Sequence, residues 1–238
     1  MELIITLFNE ALYRPLFNTL VWLYNVIPGN DVGVAIILLT VLLRVALYPP
    51  SQKALKSQKV LQELQPEIKK IQKKYKDRDE RAKATMAFYK EHNINPFSGC
   101  LPLLIQLPLL FALYQVFLKG FDVESLGALY TFVHNPGLID PMFLGLVNLA
   151  NPNHVFALLA GLAQFLQSKA MFRHQSGGTG EFSNIMSKQM TYMMPIFLIF
   201  IAWNLPSGLA LYWIVTMLFS LGQQLVVNKN YVTSNANN

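Results

Sequence analysis

The stretch "AIILLTVLLRVALYPP", residues 35–50, decides the fold class. It is apolar over the length of a helix, carries a single charge at Arg44, and ends on Pro49 and Pro50. Such a run reads as a membrane-spanning helix. An arginine at the centre of one costs roughly 2.5–3.5 kcal/mol. Arg44 is off-centre, about 6 Å along the helix from Tyr48 at ~1.5 Å per residue. Two readings stand at this point. The guanidinium snorkels to the headgroups, or it faces a water-filled space between helices, where intramembrane charges mark a pathway. Thr40, one turn earlier on the same face, favours a polar inward side.

The rest of the chain has the same character. Of its 238 residues, 53% are hydrophobic and 13% charged, against about 25% charged in soluble domains. The apolar residues gather into blocks at 32–48, 101–118, 155–171, 190–203 and 209–227. The expected fold is therefore an all-α integral membrane protein, a five-transmembrane-helix core with a cytoplasmic helical hairpin. Several blocks fall short of the ~20 residues that cross about 30 Å of hydrocarbon, which implies extended flanks or a thinned bilayer.

Basic residues set the expected orientation. Twelve of the nineteen Lys and Arg lie between Pro49 and Pro96. Segment 120–153 has none, but has Asp122, Glu124 and Asp140. The positive-inside rule puts the first segment in the cytoplasm and the second outside. Arg173 and Lys188 return the next loop to the cytoplasm, the bend "NLPSG" (204–208) is outside, and Lys229 marks a cytoplasmic C-terminus. Five spans then begin with the N-terminus outside. Residues 1–31 are broken by Asn9, Glu10, Arg14 and Pro15 and lack a signal peptide's basic start and cleavage site. They read as an interfacial helix with Trp22 and Tyr24 at headgroup level, an extra span being the alternative. Residues 228–238 form a short cytoplasmic tail, its end "NYVTSNANN" disordered.

Within the basic segment, 51–95, Leu61, Leu64, Ile68, Ile71 and Tyr75 form one helical stripe, and Ala82, Met86 and Tyr89 a second. Asp77 or Asp79 suits a helix cap between them, and "HNINP" ends the second helix. The hairpin is either a solvated link between spans or a basic docking arm.

Motifs for bond chemistry are missing. There is no P-loop, HExxH or GxSxG. The Gly-rich "HQSGGTGE" (174–181) lacks the P-loop arrangement, and "PSG" at 206–208 is turn chemistry. One cysteine, Cys100, and four scattered histidines point to no disulfide and no metal. The chain reads as no enzyme, with no cofactor. Polar residues inside the apolar blocks remain: Arg44, Gln106 between Pro102 and Pro108, Gln164, Gln167, and Trp213 about a turn inside its block. Amides in spans usually bond a neighbouring helix, and Trp213 needs a partner for its indole N–H if buried.

In order, "LLTVLLRVALYPPSQKALKSQKVLQELQPEIKKIQKKYKD", "YKEHNINPFSGCLPLLIQLPLLFALYQVF", "FLQSKAM", "MTYMMPIFLIF" and "LPSGLALYWIV" resemble the YidC family of membrane protein insertases, from about Gly33 to Val227. The resemblance implies a five-helix core around a hydrophilic groove, open to cytoplasm and lipid and closed outside. It places Arg44, Gln167 and Trp213 in a substrate-binding groove, with Thr40 beside them. It implies that the hairpin serves insertion, that nascent membrane proteins and the lipid bilayer are partners, and that the ribosome, a targeting receptor and the Sec translocon are candidate partners, with no specific nucleic acid. The expected location is a bacterial plasma membrane, multi-pass. The chain looks like a short form, without the large external domain, the lipoprotein cysteine or the long basic tail of some relatives. A small-solute channel or transporter is the rival reading.

Overall fold

The computed structural model describes residues 2–75, 77–92, 101–119, 123–172 and 188–236. The end of the hairpin at Asn93–Pro96, Cys100, Asp122 and the loop 173–187 lie outside them. The described chain is mostly helical. The first segment holds helices α1 (Glu2–Phe8) and α2 (Arg14–Val26), joined without a break by a π-helical turn at Asn9–Tyr13. Then follow α3 (Val32–Ala46), α4 (Tyr48–Glu63), α5 (Gln65–Lys74), α6 (Arg78–Glu91), α7 (Leu101–Lys119) and α8 (His154–Phe172). A second π-helical turn, Gln189–Met193, leads into α9 (Met194–Ala202), and α10 runs from Ser207 to Ala236.

Asp31 starts α3 by accepting the N–H of Val34 at 2.9 Å, the usual N-cap bond. Pro49 and Pro50 stop it. Their rings are tolerated in the first turn of α4 but not inside α3, so the two helices meet at a bend of 63°. The 15 residues of α3 span only about 22 Å. Among the described residues, His154–Phe172 and Ser207–Val227 are long and apolar enough to cross a membrane, and the bent pair makes a third candidate. Ile105–Lys119 and Gln189–Ala202 are shorter apolar helices.

The apolar core joins α2, α3, α7, α8 and α10 through Phe17, Ile36, Leu113, Ala160 and Leu209, among others. Two close approaches tighten it. A Cβ on Gly33 would collide with the ring of Phe143, and one on Gly161 with the side chain of Ile199. The exposed large hydrophobics, such as Leu42, Phe111, Leu162 and Phe200, lie on outer faces, as expected of helices that meet lipid.

Residues 123–153 are folded rather than loose. A 3₁₀ turn, Val123–Ala128, precedes a two-stranded antiparallel hairpin, Met142–Phe143 with Val147–Asn148. Its turn uses positive φ at Leu144 and Gly145. Asp31 accepts the N–H of Leu144, and the N–H groups of Ser207 and Gly208 bond the carbonyls of Asn151 and Leu149. This layer thus ties down the start of α3 and the bend before α10. Ser207 is fully buried, its hydroxyl donating to the Asn148 carbonyl at 3.2 Å: a turn residue, as the Pro-Ser-Gly chemistry implies.

Several expectations need correction. Tyr24 is buried within the protein, and its hydroxyl accepts the N–H of Asp140, so it packs inward, while Trp22 is exposed. Residues 16–24 pack into the core because Leu16, Leu20 and Leu23 recur at helical spacing beside Phe17 and Val21. The first hairpin stripe is not one helix. Pro66 sits in the first turn of α5, where it cannot continue α4. Asp77 is the N-cap of α6, accepting from Asp79 and Glu80. The Glu80 N–H, more than those of Asp79 and Arg78, holds its carboxyl below the usual value. Phe88 is the buried residue of α6 while Met86 is exposed. Phe88 packs against His92 in a tilted arrangement, the centroids 4.1 Å apart. The polar tail continues α10 to Ala236, since a ladder begun in an apolar segment adds one bond per residue.

Candidate polar groove

Arg44 lies on the last turn of α3, half-buried. Its Nη2 donates to Oε1 of Gln106 on α7 at 2.9 Å. The other end of that amide, Nε2, donates to the hydroxyl of Tyr212 on α10. Three helices are therefore joined by one polar network within a largely apolar bundle. An unpaired guanidinium here would be costly. A neutral amide accepts from one of its five donors without cancelling its charge.

Further polar side chains lie along the same face of α10. Tyr212, Thr216 and Gln223 follow at helical spacing, and all three are buried. Gln223 donates to the Tyr48 carbonyl at the α3–α4 bend, at 3.4 Å. Among the described residues, the Thr216 hydroxyl and the Gln224 carbonyl oxygen are buried without a hydrogen-bond partner. Buried polar groups are nearly always satisfied, which sets these two apart from the other buried polar groups. The polar face runs from the bend beneath Arg44 up to Tyr212.

The other residues expected here are arranged differently. Thr40 is buried, and its hydroxyl bonds back to the Ile36 carbonyl at 2.6 Å. Trp213 belongs to the apolar core; its neighbour Tyr212 makes the polar contact. Gln167 is half-buried on α8, its amide near the sulfur of Met171 at 3.9 Å. Gln164 bonds the buried Ser168 on the same helix. The structure thus joins Arg44 to Gln106, while Thr40 and Gln167 bond within their own helices. Sequence reasoning passed over Tyr212, because a tyrosine in "LALYWIV" reads as an ordinary apolar-block aromatic.

Comparison with known proteins gives a consistent picture. A model of the 60Kd inner membrane protein family matches residues 22–235. A membrane protein insertase YidC of Listeria monocytogenes is 34% identical, over 91% of this chain and 70% of its own length. One from Fusobacterium nucleatum is 36% identical, over 84% of this chain and 87% of its own. One from Pelobacter propionicus is 34% identical, but only 38% of it is covered. Among solved structures, an active YidC insertase with its first transmembrane domain resolved aligns with 88% of this chain and 45% of its own. The TM-score is 0.58 and the identity 28%.

Proposed function

The chain belongs to the 60Kd inner membrane protein family, that of the YidC insertases; it is a membrane protein insertase, and we propose that it works through the polar network at Arg44. In this reading α3, α7, α8, α9 with its π-helical turn, and α10 are five spans. The hairpin and the C-terminus are cytoplasmic, and residues 123–153 cap the outer end.

The energetics place the difficulty in the path rather than in the end states. About twenty Leu-type residues entering the membrane gain roughly 6–12 kcal/mol, while one acidic residue near the centre opposes this by up to about 3 kcal/mol. Insertion of a short client is downhill and needs no nucleotide. The obstacle is the polar flank that must cross first. Arg44, held but not neutralised by Gln106 and Tyr212, offers that flank a charge-complementary station part-way across. The polar face of α10 leads to it, and the client helix then leaves along the apolar faces of the core helices. A span as short as α3 thins the bilayer and shortens the remaining path.

The observation that carries this reading is the Arg44–Gln106–Tyr212 network, a retained charge inside an apolar bundle. The test is reconstitution of the purified chain in liposomes with a single-span client. Protease protection of the client tail is expected; ion flux without insertion would instead support a channel.

A further inference from the structure

At the end of the bundle away from Arg44 lies a second polar feature, a cavity of about 390 Å³. It is lined by Asn9, Glu10 and Arg14 on one side, Gln115 and Lys119 of α7 on the other, and Gly127. The first wall is the π-helical turn, a distortion frequently found at functional sites. Arg14 is held in place from three directions. Its Nε donates to the Ala128 carbonyl at 3.1 Å, its Nη1 to Glu10 at 3.1 Å, and its guanidinium lies 4.8 Å over the Tyr130 ring. Among the described residues these contacts commit two of the five N–H donors that a guanidinium carries. Glu10 is drawn onto Arg14, and Lys119 adds a second cation. The lining is therefore net positive and rich in donors, suited to a phosphate ester.

The surroundings choose between sources of that phosphate. Leu7 stands three residues before Glu10, and Phe111 four before Gln115, each on the cavity's face of its helix. Both are more than half exposed, and Leu118 is nearly so. A soluble phosphate has no use for apolar strips on both walls; a lipid has acyl chains to lay along them. We propose that this cavity holds the phosphodiester of an anionic phospholipid, seating the N-terminal segment against α7 in the outer leaflet. The proposal rests on the outward placement of residues 123–153.

The test is native mass spectrometry of the full chain after delipidation, with phosphatidylglycerol or phosphatidylcholine added in equal amount. Phosphatidylglycerol is expected to be retained preferentially. Lys119→Gln, a change at an exposed position, is expected to lower its retention about fivefold, the worth of one lysine near an anionic headgroup. Lys188→Gln, on the opposite side, is expected to leave it unchanged. Equal retention of the two lipids, or full retention by Lys119→Gln, overturns the proposal. Displacement of the lipid by millimolar glycerol phosphate assigns the cavity to soluble phosphate esters and overturns it as well. External labelling of His134→Cys in a Cys100→Ser background reports the topology separately. A failed lipid result with correct labelling rejects the site, and failed labelling rejects the orientation.

Discussion

Replacing Arg44 with alanine is expected to slow clients in proportion to the acidity of the tail they translocate. A client carboxylate about 4 Å from the guanidinium gains roughly 1 kcal/mol in a water-like medium and roughly 4 kcal/mol at the effective dielectric of a protein surface. Arg44 is half-buried, so a gain of about 1–3 kcal/mol is reasonable. At ~1.4 kcal/mol per decade in rate, that predicts a loss of about 5- to 150-fold for a tail with one aspartate. The structural side effect is smaller. Gln106 loses one donor but keeps Tyr212, a change worth about 1 kcal/mol. Arg44→Lys retains a charge and a donor and is expected to keep most of the activity. The assay is insertion into proteoliposomes of three matched single-span clients with zero, one or two aspartates in the tail, followed by protease protection. A uniform loss for all three clients, or none for any, would refute the reasoning.

Three further perturbations probe the fold and the hairpin. Gly161→Ala forces a Cβ into Ile199 and is expected to lose about 1–3 kcal/mol by overpacking. Gly222→Ala meets nothing within 4 Å and is expected to gain about 0.5–1 kcal/mol from helix propensity; thermal unfolding in detergent reads both. Deletion of residues 55–90 is expected to leave a folded core, because the central cluster draws on none of those residues, but to impair insertion. Full activity after that deletion would make the hairpin a mere link.

Much of the architecture was legible because lipid-facing helices announce themselves. The end of α3 is written in Pro49 and Pro50, and the cap of α6 in the pair Asp77 and Asp79, of which Asp77 takes it. Arg44 and Gln106 stood out as polar groups in apolar runs. What was not legible depends on partners far along the chain. Tyr212 carries no local sign that it will meet an amide about a hundred residues away. The inward face of α6 depends on what it packs against, and Phe88 rather than Met86 is turned inward. The strands Met142–Phe143 and Val147–Asn148 are two residues each, too short to show an alternation. Thr40 and Trp213 carry polar atoms in the expected region, yet Thr40 is satisfied by its own helix and Trp213 is taken up by the core.

The central claim is that a client's polar flank passes Arg44. A photoreactive amino acid at position 44, tested with a neutral-tailed single-span client stalled during synthesis, addresses it most directly. Leu42, which is 51% exposed on an outward face, serves as the comparison position. The account predicts crosslinks from position 44 to the client's tail and its first apolar residues, and markedly fewer to the tail from position 42. Equal tail crosslinking from both positions, or crosslinks to lipid alone from position 44, would contradict it.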